Sequence, residues 1–157
     1  DIRKIEKKNN FFIKKILINV MNEYGVPSEG TALADVELNH MYESYLLDKH
    51  IYYILTIENK IVGGAGIAPL KNSDKNICEL QKMYFLPVAR GKGLGSLMIK
   101  KCIDYASKSR FEYCYIETMH NMINAQKLYK KYGFEFIDSP LGNTGHSSCP
   151  VWMLKKL

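Results

Sequence analysis

The stretch Glu79–Ser96, ELQKMYFLPVARGKGLGS, decides how this chain folds. It has the pattern of a strand that ends at Leu86, a glycine-rich loop over Arg90–Gly95 and the start of an amphipathic helix. The first N–H groups of a helix have no acceptor within the helix, and they lie at the positive end of its dipole. Glycines let the backbone approach an anion closely, and Arg90 and Lys92 add positive charge. The sequence therefore predicts an anion site that suits a pyrophosphate.

Two well-known phosphate-binding loops do not fit the glycines of this chain. A Walker loop needs a lysine after its second glycine, but Gly25–Gly30 is followed by Thr31. A dinucleotide-binding fingerprint needs a third glycine, and the pair Gly91–Gly93 has Ser96 at that position. Neither loop is therefore predicted here.

Hydrophobic periodicity outside this stretch predicts groups of helices and strands in a fixed order. Helical spacing is found over Phe11–Tyr24, Ala34–Leu47, the segment after Gly95, and Asn124–Tyr132. Strands are expected at Ile2–Ile5, Ile51–Ile57, Ile61–Leu70, Ile77–Leu86, Phe111–Thr118, Phe134–Ile137 and Val151–Leu154, with turns at Glu58–Lys60 and Asn72–Asp74. The three consecutive strands between 51 and 86 predict an antiparallel meander. The order β-α-α-β-β-β-α-β-α-β-β indicates an α/β protein with a mixed, mostly antiparallel central sheet flanked by helices.

Length and composition are those of one ordinary globular domain. The chain has 157 residues, of which 46% are hydrophobic and 24% charged, so disordered, collagen-like and disulfide-framework proteins are excluded. We expect a single domain over residues 1–157. The net charge of +6 suggests either an anionic partner or a lysine-rich solvated surface. The positive charges are scattered and arginine is scarce, so no nucleic-acid partner is expected.

The cysteines and the first residues bear on compartment and metal binding. Cys78, Cys102, Cys114 and Cys149 form no CxxC pair, which favours reduced and mostly buried thiols. His146 lies near Cys149, but no second pair has metal-site spacing, so no metal is expected. The first ten residues lack an apolar segment of the secretory type, and no stretch is long enough to span a membrane. We expect a cytoplasmic protein without a membrane partner.

Two motifs resemble those of the GNAT superfamily of N-acetyltransferases. Arg90-x-x-Gly93-x-Gly95 resembles the family's Q/R-x-x-G-x-G/A motif, and it lies between a strand and a helix, as that motif does. Ala125–Phe134, AQKLYKKYGF, resembles the family's A-x-x-L-Y-x-x-x-G-F helix and turn. The resemblance extends over essentially the whole chain. It implies the GNAT fold and an enzyme that transfers an acetyl group from acetyl-CoA, its co-substrate, to a small-molecule or peptide amine.

The resemblance also implies which residues bind the donor. The loop residues expected at the pyrophosphate are Arg90, Gly91, Lys92, Gly93, Leu94, Gly95 and Ser96. The end of the preceding strand, with Met83, Tyr84 and Phe85, is expected to pair through its backbone with the pantetheine arm. Family members often have an asparagine where this chain has Met122. Asn121 and Asn124 flank that position, and either of them, or neither, takes over its role.

Catalysis needs a base for the protonated amine and an acid for the departing thiolate. By resemblance, Glu79 is the candidate base and Tyr129 the candidate acid. A surface or ion-paired glutamate and a core tyrosine are the competing interpretations. His146 and a water chain remain alternative bases, and Glu117 either reaches the cleft or is solvated.

The nature of the acceptor stays open at this point. Polyamines, amino acids, antibiotics, peptide N-termini and protein lysines are all compatible with the sequence. The alternative function is a non-catalytic acyl-CoA-binding or regulatory module with the same fold. Oligomeric state is open as well, and a homodimer paired through an exposed final strand is one expectation.

Overall fold

The computed structural model describes residues 1–73 and 76–157. The strands are β1 Ile2–Lys4, β2 Ile51–Ile57, β3 Lys60–Pro69, β4 Ile77–Phe85, β5 Tyr113–Thr118, β6 Glu135–Phe136 and β7 Val151–Lys156. The α-helices are α1 Asn10–Glu23, α2 Met41–Ser44, α3 Leu94–Lys108 and α4 Ile123–Lys131. Short 3-10 turns occur at Lys7–Asn9, Ala32–Ala34, Val36–Asn39 and Pro87–Ala89. The predicted turn at Asn72–Asp74 lies partly outside the described residues.

The described strands form one mixed sheet in the order β1-β2-β3-β4-β5-β7-β6. Neighbours are antiparallel except β4 and β5, which are parallel. The predicted α/β class and the mostly antiparallel mixed sheet are therefore confirmed. Buried residues of α1 pack on one part of the sheet, and those of α3 and α4 pack in a separate cluster with β2, β3, β4 and β5. Among the described helices, none is both long and apolar enough to cross a membrane.

The prediction of one helix over Ala34–Leu47 is wrong. This segment contains two 3-10 turns and only the four-residue helix α2. Asp35 interrupts it with an extended backbone, at φ −66° and ψ 123°, and its carboxylate binds partners outside the segment. Val36, an apolar residue of this segment, is 68% exposed. Apolar spacing alone does not distinguish a continuous helix from successive short turns that bury some of the same side chains.

A bulge in β4 opens the sheet where the predicted site lies. Pairing with β3 shifts between Gly64↔Tyr84 and Gly66↔Gln81, and Lys82 has a left-handed φ of 49°. The buried Tyr52 hydroxyl donates to the Lys82 carbonyl at 2.8 Å and supports this bend. Such a bulge bends its strand and ends regular pairing nearby.

The bulge coincides with the end of the parallel pairing. Between β4 and β5 the described pairs run only from Ile77↔Tyr113 to Glu79↔Tyr115. Both strands continue further, β4 to Phe85 and β5 to Thr118. The two strands therefore separate beyond Glu79 and leave a gap within the sheet.

Candidate active site

A cleft of about 280 Å³ lies beside the end of β4, past the point where its pairing with β5 stops. Its walls come from the end of β4, the glycine loop, the first turn of α3, and α4. The predicted site residues that line it are Met83, Tyr84, Phe85, Arg90, Gly91, Gly93, Gly95, Ser96, Asn124 and Tyr129. The remaining candidates, Glu79, Lys92, Leu94 and Asn121, are not among its lining residues. Val20 and Tyr24 of the α1 region also line the cleft, and no sequence motif predicted them as site residues.

The glycine loop presents free backbone donors at the start of α3. Gly91 and Gly93 have left-handed φ values of 71° and 74°, and Gly93 is the N-cap of the helix. The Leu97 N–H is bonded to the Gly93 carbonyl at 3.2 Å, so the preceding N–H groups of the first turn have no helical acceptor. A methyl group on Gly95 would lie 3.1 Å from Leu128 across the cleft. The loop thus combines the donors and the close approach that an anionic ligand requires.

The Arg90 side chain has protein partners at the edge of the cleft. Its guanidinium donates to both carboxylate oxygens of Glu23 at 2.6 and 2.9 Å and to the Phe85 carbonyl at 2.9 Å. It also lies 5.4 Å from the ring centre of Tyr24. The hydrogen bond from Arg90 lowers the pKa of Glu23. Arg90 therefore joins the glycine loop to the end of α1, and Glu23 is a partner that no local motif reveals.

The two candidate asparagines differ in their surroundings. Asn124 lines the cleft. Asn121 is exposed, and its side-chain amide donates to the Tyr24 carbonyl at 2.8 Å. Met122, between them, is buried and accepts a hydrogen bond from Thr118 at 3.3 Å. Asn124 is thus the one of the two that lines this cleft.

Tyr129 presents a buried phenol to the cleft. It is only 4% exposed, and its ring lies 5.9 Å from that of Phe134. Its hydroxyl has no hydrogen-bond partner among residues 1–73 and 76–157. Burial raises the pKa of this phenol above its ordinary value, so the group stays protonated at neutral pH. An unpaired and protonated hydroxyl in a cleft is able to donate a proton to a ligand.

A second, smaller cavity of about 30 Å³ lies beyond Tyr84, which lines both spaces. Glu79, Lys82, Glu117, His146 and Cys149 are among its lining residues. Glu79 is 5% exposed, and its Oε2 accepts a hydrogen bond from Gln81 at 2.8 Å. Burial raises the pKa of this carboxyl above its ordinary value.

Asp35 connects three separate parts of the chain beside this cavity. Its carboxylate forms a 2.7 Å ion pair with Lys82, whose side chain is 5% exposed. It also accepts a 2.8 Å hydrogen bond from His146 Nε2. Burial alone would raise the pKa of Asp35, but His146 and Lys82 outweigh it and hold that pKa below its ordinary range. Burial would likewise lower the pKa of His146, yet the bond to Asp35 raises it overall.

Glu117 is held in place at the same cavity. Its Oε1 accepts from the Tyr115 hydroxyl at 2.7 Å, and its Oε2 accepts from Thr144 at 2.7 Å. His146 Nδ1 lies 3.6 Å from Glu117 Oε2. Glu117 thus lines this second cavity and is not among the residues that line the cleft. Sequence reasoning missed Asp35, Lys82 and Thr144, because their partners are distant along the chain.

Comparison with known proteins identifies the family. A sequence model of the Acetyltransferase (GNAT) family matches residues 17–134. The uncharacterized N-acetyltransferase YjgM of Escherichia coli K12 is 41% identical over 157 residues, which cover 99% of this chain and 94% of that protein.

Two solved structures show the same fold at low sequence identity. A GNAT acetyltransferase from Staphylococcus aureus Mu50 superimposes with a TM-score of 0.88 at 20% identity, covering 100% of this chain and 98% of that one. The structure of yncA from Salmonella typhimurium with its cofactor acetyl-CoA superimposes with a TM-score of 0.79 at 18% identity, covering 100% of this chain and 93% of that one. Together with the family match and the strand order, these findings show that the chain belongs to the GNAT superfamily of N-acetyltransferases.

Proposed function

We propose that this protein transfers an acetyl group from acetyl-CoA to a primary amine by direct attack on the thioester. The observation that carries the proposal is the cleft in which unpaired N–H groups of the glycine loop and the unpaired Tyr129 hydroxyl face one space. Pyrophosphate suits the loop, and the gap beside β4 suits an extended pantetheine arm. The bound acetyl-CoA in the yncA structure supports this choice of donor.

The candidate acid Tyr129 lines the cleft, the candidate base Glu79 lines the second cavity, and Tyr84 lines both. Glu79 takes the proton of the amine, whose lone pair then attacks the carbonyl carbon of the thioester. The new C–N bond forms, the C–S bond breaks, and the sulfur leaves with the electron pair. The attacking nitrogen, positively charged after the attack, loses its second proton to water, and Glu79 releases the first proton to solvent. Tyr129 donates its proton to that thiolate and regains one from solvent. A raised pKa brings Glu79 closer to neutrality, which suits a general base, and keeps Tyr129 protonated, which suits an acid.

Calorimetric titration with acetyl-CoA tests the donor half of the proposal. Acetylpantetheine, which lacks the pyrophosphate, is the matched control ligand, and we expect it to bind at least about tenfold more weakly if the glycine loop binds the phosphates. Absence of acetyl-CoA binding at millimolar concentration would disprove the proposal.

Release of free thiol in the presence of a panel of primary amines tests the catalytic half. We expect at least one amine to raise thiol release above the rate of acetyl-CoA hydrolysis, and Glu79→Gln and Tyr129→Phe to lower it. Tight acetyl-CoA binding without transfer to any amine would instead favour the non-catalytic acyl-CoA-binding module. Transfer that survives both substitutions would remove the two residue assignments and leave the activity.

A further inference from the structure

A groove of about 670 Å³ lies on the outer face of α1, between Phe11 and Asn22. Leu86, which follows β4, lines this space as well, and we call it the α1 groove. The helix is anchored by its buried face, where Ile13 and Leu17 are completely enclosed. Among the described residues, none lines both the α1 groove and the donor cleft. The groove is therefore a separate space that the proposed reaction does not use.

The shape of the α1 groove suits an elongated ligand. Phe11, Lys15, Ile18 and Asn22 line it at intervals of three or four residues, so they follow one face of the helix over about three turns. At about 1.5 Å per residue, this stretch is about 16 Å long. Small-molecule sites enclose most of the surface of their ligand, whereas Phe11, Lys15 and Asn22 are exposed. A long and open groove of this kind fits a peptide segment better than a small molecule.

One end of the α1 groove is apolar in a way that the fold itself does not use. Phe11 is 70% exposed and its neighbour Phe12 is 56% exposed, with their rings 5.6 Å apart and edge to face. Neither residue belongs to a hydrophobic core cluster in the part of the chain that the structure describes. Aromatic anchors in a partner interface contribute much of its binding energy. We therefore expect the ligand to bring a large apolar side chain to this end.

The charge of the α1 groove is positive. Lys14 and Lys15 line it, and residues 7–22 contain four lysines and no acidic residue. The Lys14 ammonium donates to the Asn39 side-chain oxygen at 2.6 Å, and that partner is neutral. Over residues 1–73 and 76–157, neither Lys14 nor Lys15 forms an ion pair with a carboxylate. Two ammonium groups without a counter-charge, beside an apolar surface, are complementary to an acidic ligand that also carries apolar groups.

Two other kinds of occupant fit the α1 groove less well. In a symmetric dimer the same surface of each copy faces the other, so pairing through α1 would bring the lysines of both copies together. A lipid surface is nearly flat and receives the protruding side of a helix, whereas this space lies between α1 and Leu86. An acidic protein segment satisfies both the charge and the shape.

We propose that the α1 groove is a docking site for an acidic segment of a partner protein. A large apolar side chain of the segment packs against Phe11, and its carboxylates pair with Lys14 and Lys15. The side-chain amides of Asn19 and Asn22 offer hydrogen bonds further along the groove. Docking on this face of α1 requires no acetyl-CoA, so the proposal and its test are independent of the proposed function.

Fluorescence anisotropy with labelled polymers at physiological ionic strength tests the docking site. The probe is a random copolymer of glutamate and tyrosine, which offers both carboxylates and aromatic side chains. Polyglutamate of the same length is the control, because it carries the charge without the apolar groups. We expect the copolymer to bind at least about tenfold more tightly than polyglutamate, and to bind more weakly as salt is added. Equal binding of the two polymers, or no binding of either, would overturn the proposal.

Substitution of the exposed aromatic residue locates the apolar contact. Phe11→Ser should weaken copolymer binding about fivefold or more. Phe136→Ser, the same change at a 50% exposed phenylalanine of β6, should leave the Kd unaltered. Equal effects of the two substitutions would mean that the copolymer binds elsewhere, which would overturn the proposal.

Substitution of the two lysines locates the charge contact. The double variant Lys14→Gln with Lys15→Gln should weaken copolymer binding about fivefold or more and reduce its dependence on salt. Lys100→Gln with Lys101→Gln, the same change at an adjacent pair of exposed lysines in α3, is the matched control and should keep the original Kd. Unaltered binding in the Lys14 and Lys15 variant would remove the charge contact on which the proposal rests.

Two further measurements test the other occupants. A concentration-dependent dimer in sedimentation that Phe11→Ser abolishes would assign the α1 groove to a second copy of this chain. Binding to phosphatidylserine vesicles more tightly than to the copolymer, and lost in Phe11→Ser, would assign it to a lipid surface. Either result would overturn the proposal. Absence of acetyl-CoA binding, measured separately, would disprove the proposed function and leave the docking site untouched.

Discussion

The guanidinium of Arg90 and the carboxylate of Glu23 form two hydrogen bonds, of 2.6 and 2.9 Å, across 67 residues of sequence. This pair ties the glycine loop to the last residue of α1. The arginine at the head of the motif thus acts on the shape of the loop, while the backbone N–H groups of the loop remain free for the ligand.

Glu23→Gln should therefore weaken acetyl-CoA binding through the loop. The neutral amide keeps the size of the side chain but loses the charge-assisted pair, so we expect the Kd for acetyl-CoA to rise about two- to fivefold. Calorimetry measures the change. Glu29→Gln, at another exposed position, is the control and should leave the Kd unaltered. An unchanged Kd in Glu23→Gln would show that the loop keeps its shape without this pair.

Gly93→Ala should lower both stability and acetyl-CoA affinity. The left-handed φ of 74° is unfavourable for alanine and costs about 1 kcal/mol. Gly145→Ala is the matched control, because Gly145 has a φ of 78° and open space around it but does not line the cleft. Urea unfolding should show similar losses in the free energy of unfolding for both variants. Calorimetry should show weakened acetyl-CoA binding only for Gly93→Ala. Equal affinities of the two variants for acetyl-CoA would show that the glycine loop does not contribute to donor binding.

Tyr129→Phe should lower the turnover number while leaving stability nearly unchanged. The hydroxyl has no partner among the described residues, so removing it should alter the free energy of unfolding by no more than about 0.5 kcal/mol. Loss of the acid should reduce the turnover number by about 10²-fold. Tyr52→Phe gives the opposite pattern, because its buried hydroxyl donates to Lys82, and its loss should cost about 1–2 kcal/mol. Unfolding curves and rate measurements on both variants decide.

The pH dependence of turnover should report the ionisation of Glu79. A base acts only when deprotonated, and burial raises the pKa of this carboxyl, so the rate should rise with pH and its acidic limb should lie above 4.5, the ordinary glutamate value. Glu79→Gln should abolish that limb. If the limb persists in Glu79→Gln and disappears in His146→Gln, the histidine is the base.

The raised pKa of Glu79 affects stability in the opposite direction to turnover, because this carboxyl favours the native state at low pH. A carboxyl whose pKa is raised on folding stabilises the native state below its unfolded pKa, and this contribution is lost as pH rises through the folded pKa. At neutral pH, Glu79→Gln should therefore be at least as stable as the unsubstituted chain in urea unfolding. A large loss of stability would mean that the charged carboxylate is well paired in the native protein.

Local patterns were enough to predict the part of the fold around the donor cleft. The strand, glycine loop and helix of Glu79–Ser96 lie together in sequence, and the Ala125–Phe134 motif marks α4 in the same way. Segment 34–47 was mispredicted because its structure depends on Asp35, whose partners are 47 and 111 residues away. The left-handed φ of Lys82 also has no local signal, since the residue is not a glycine. The second cavity, around Glu79, Glu117 and His146, is formed by contacts between distant segments, which periodicity does not detect.

The separation of β4 from β5 gives the protein an unpaired edge in the interior of its sheet. The Leu86 N–H donates to Val62 of β3, and strand residues alternate in direction, so the N–H groups of Met83 and Phe85 point into the gap. Sheets normally expose such groups only at their borders, where they invite other chains to add a strand. A donor that pairs with β4 would fill this place as a removable strand. We therefore expect the protein to aggregate more slowly on heating when it is saturated with acetyl-CoA.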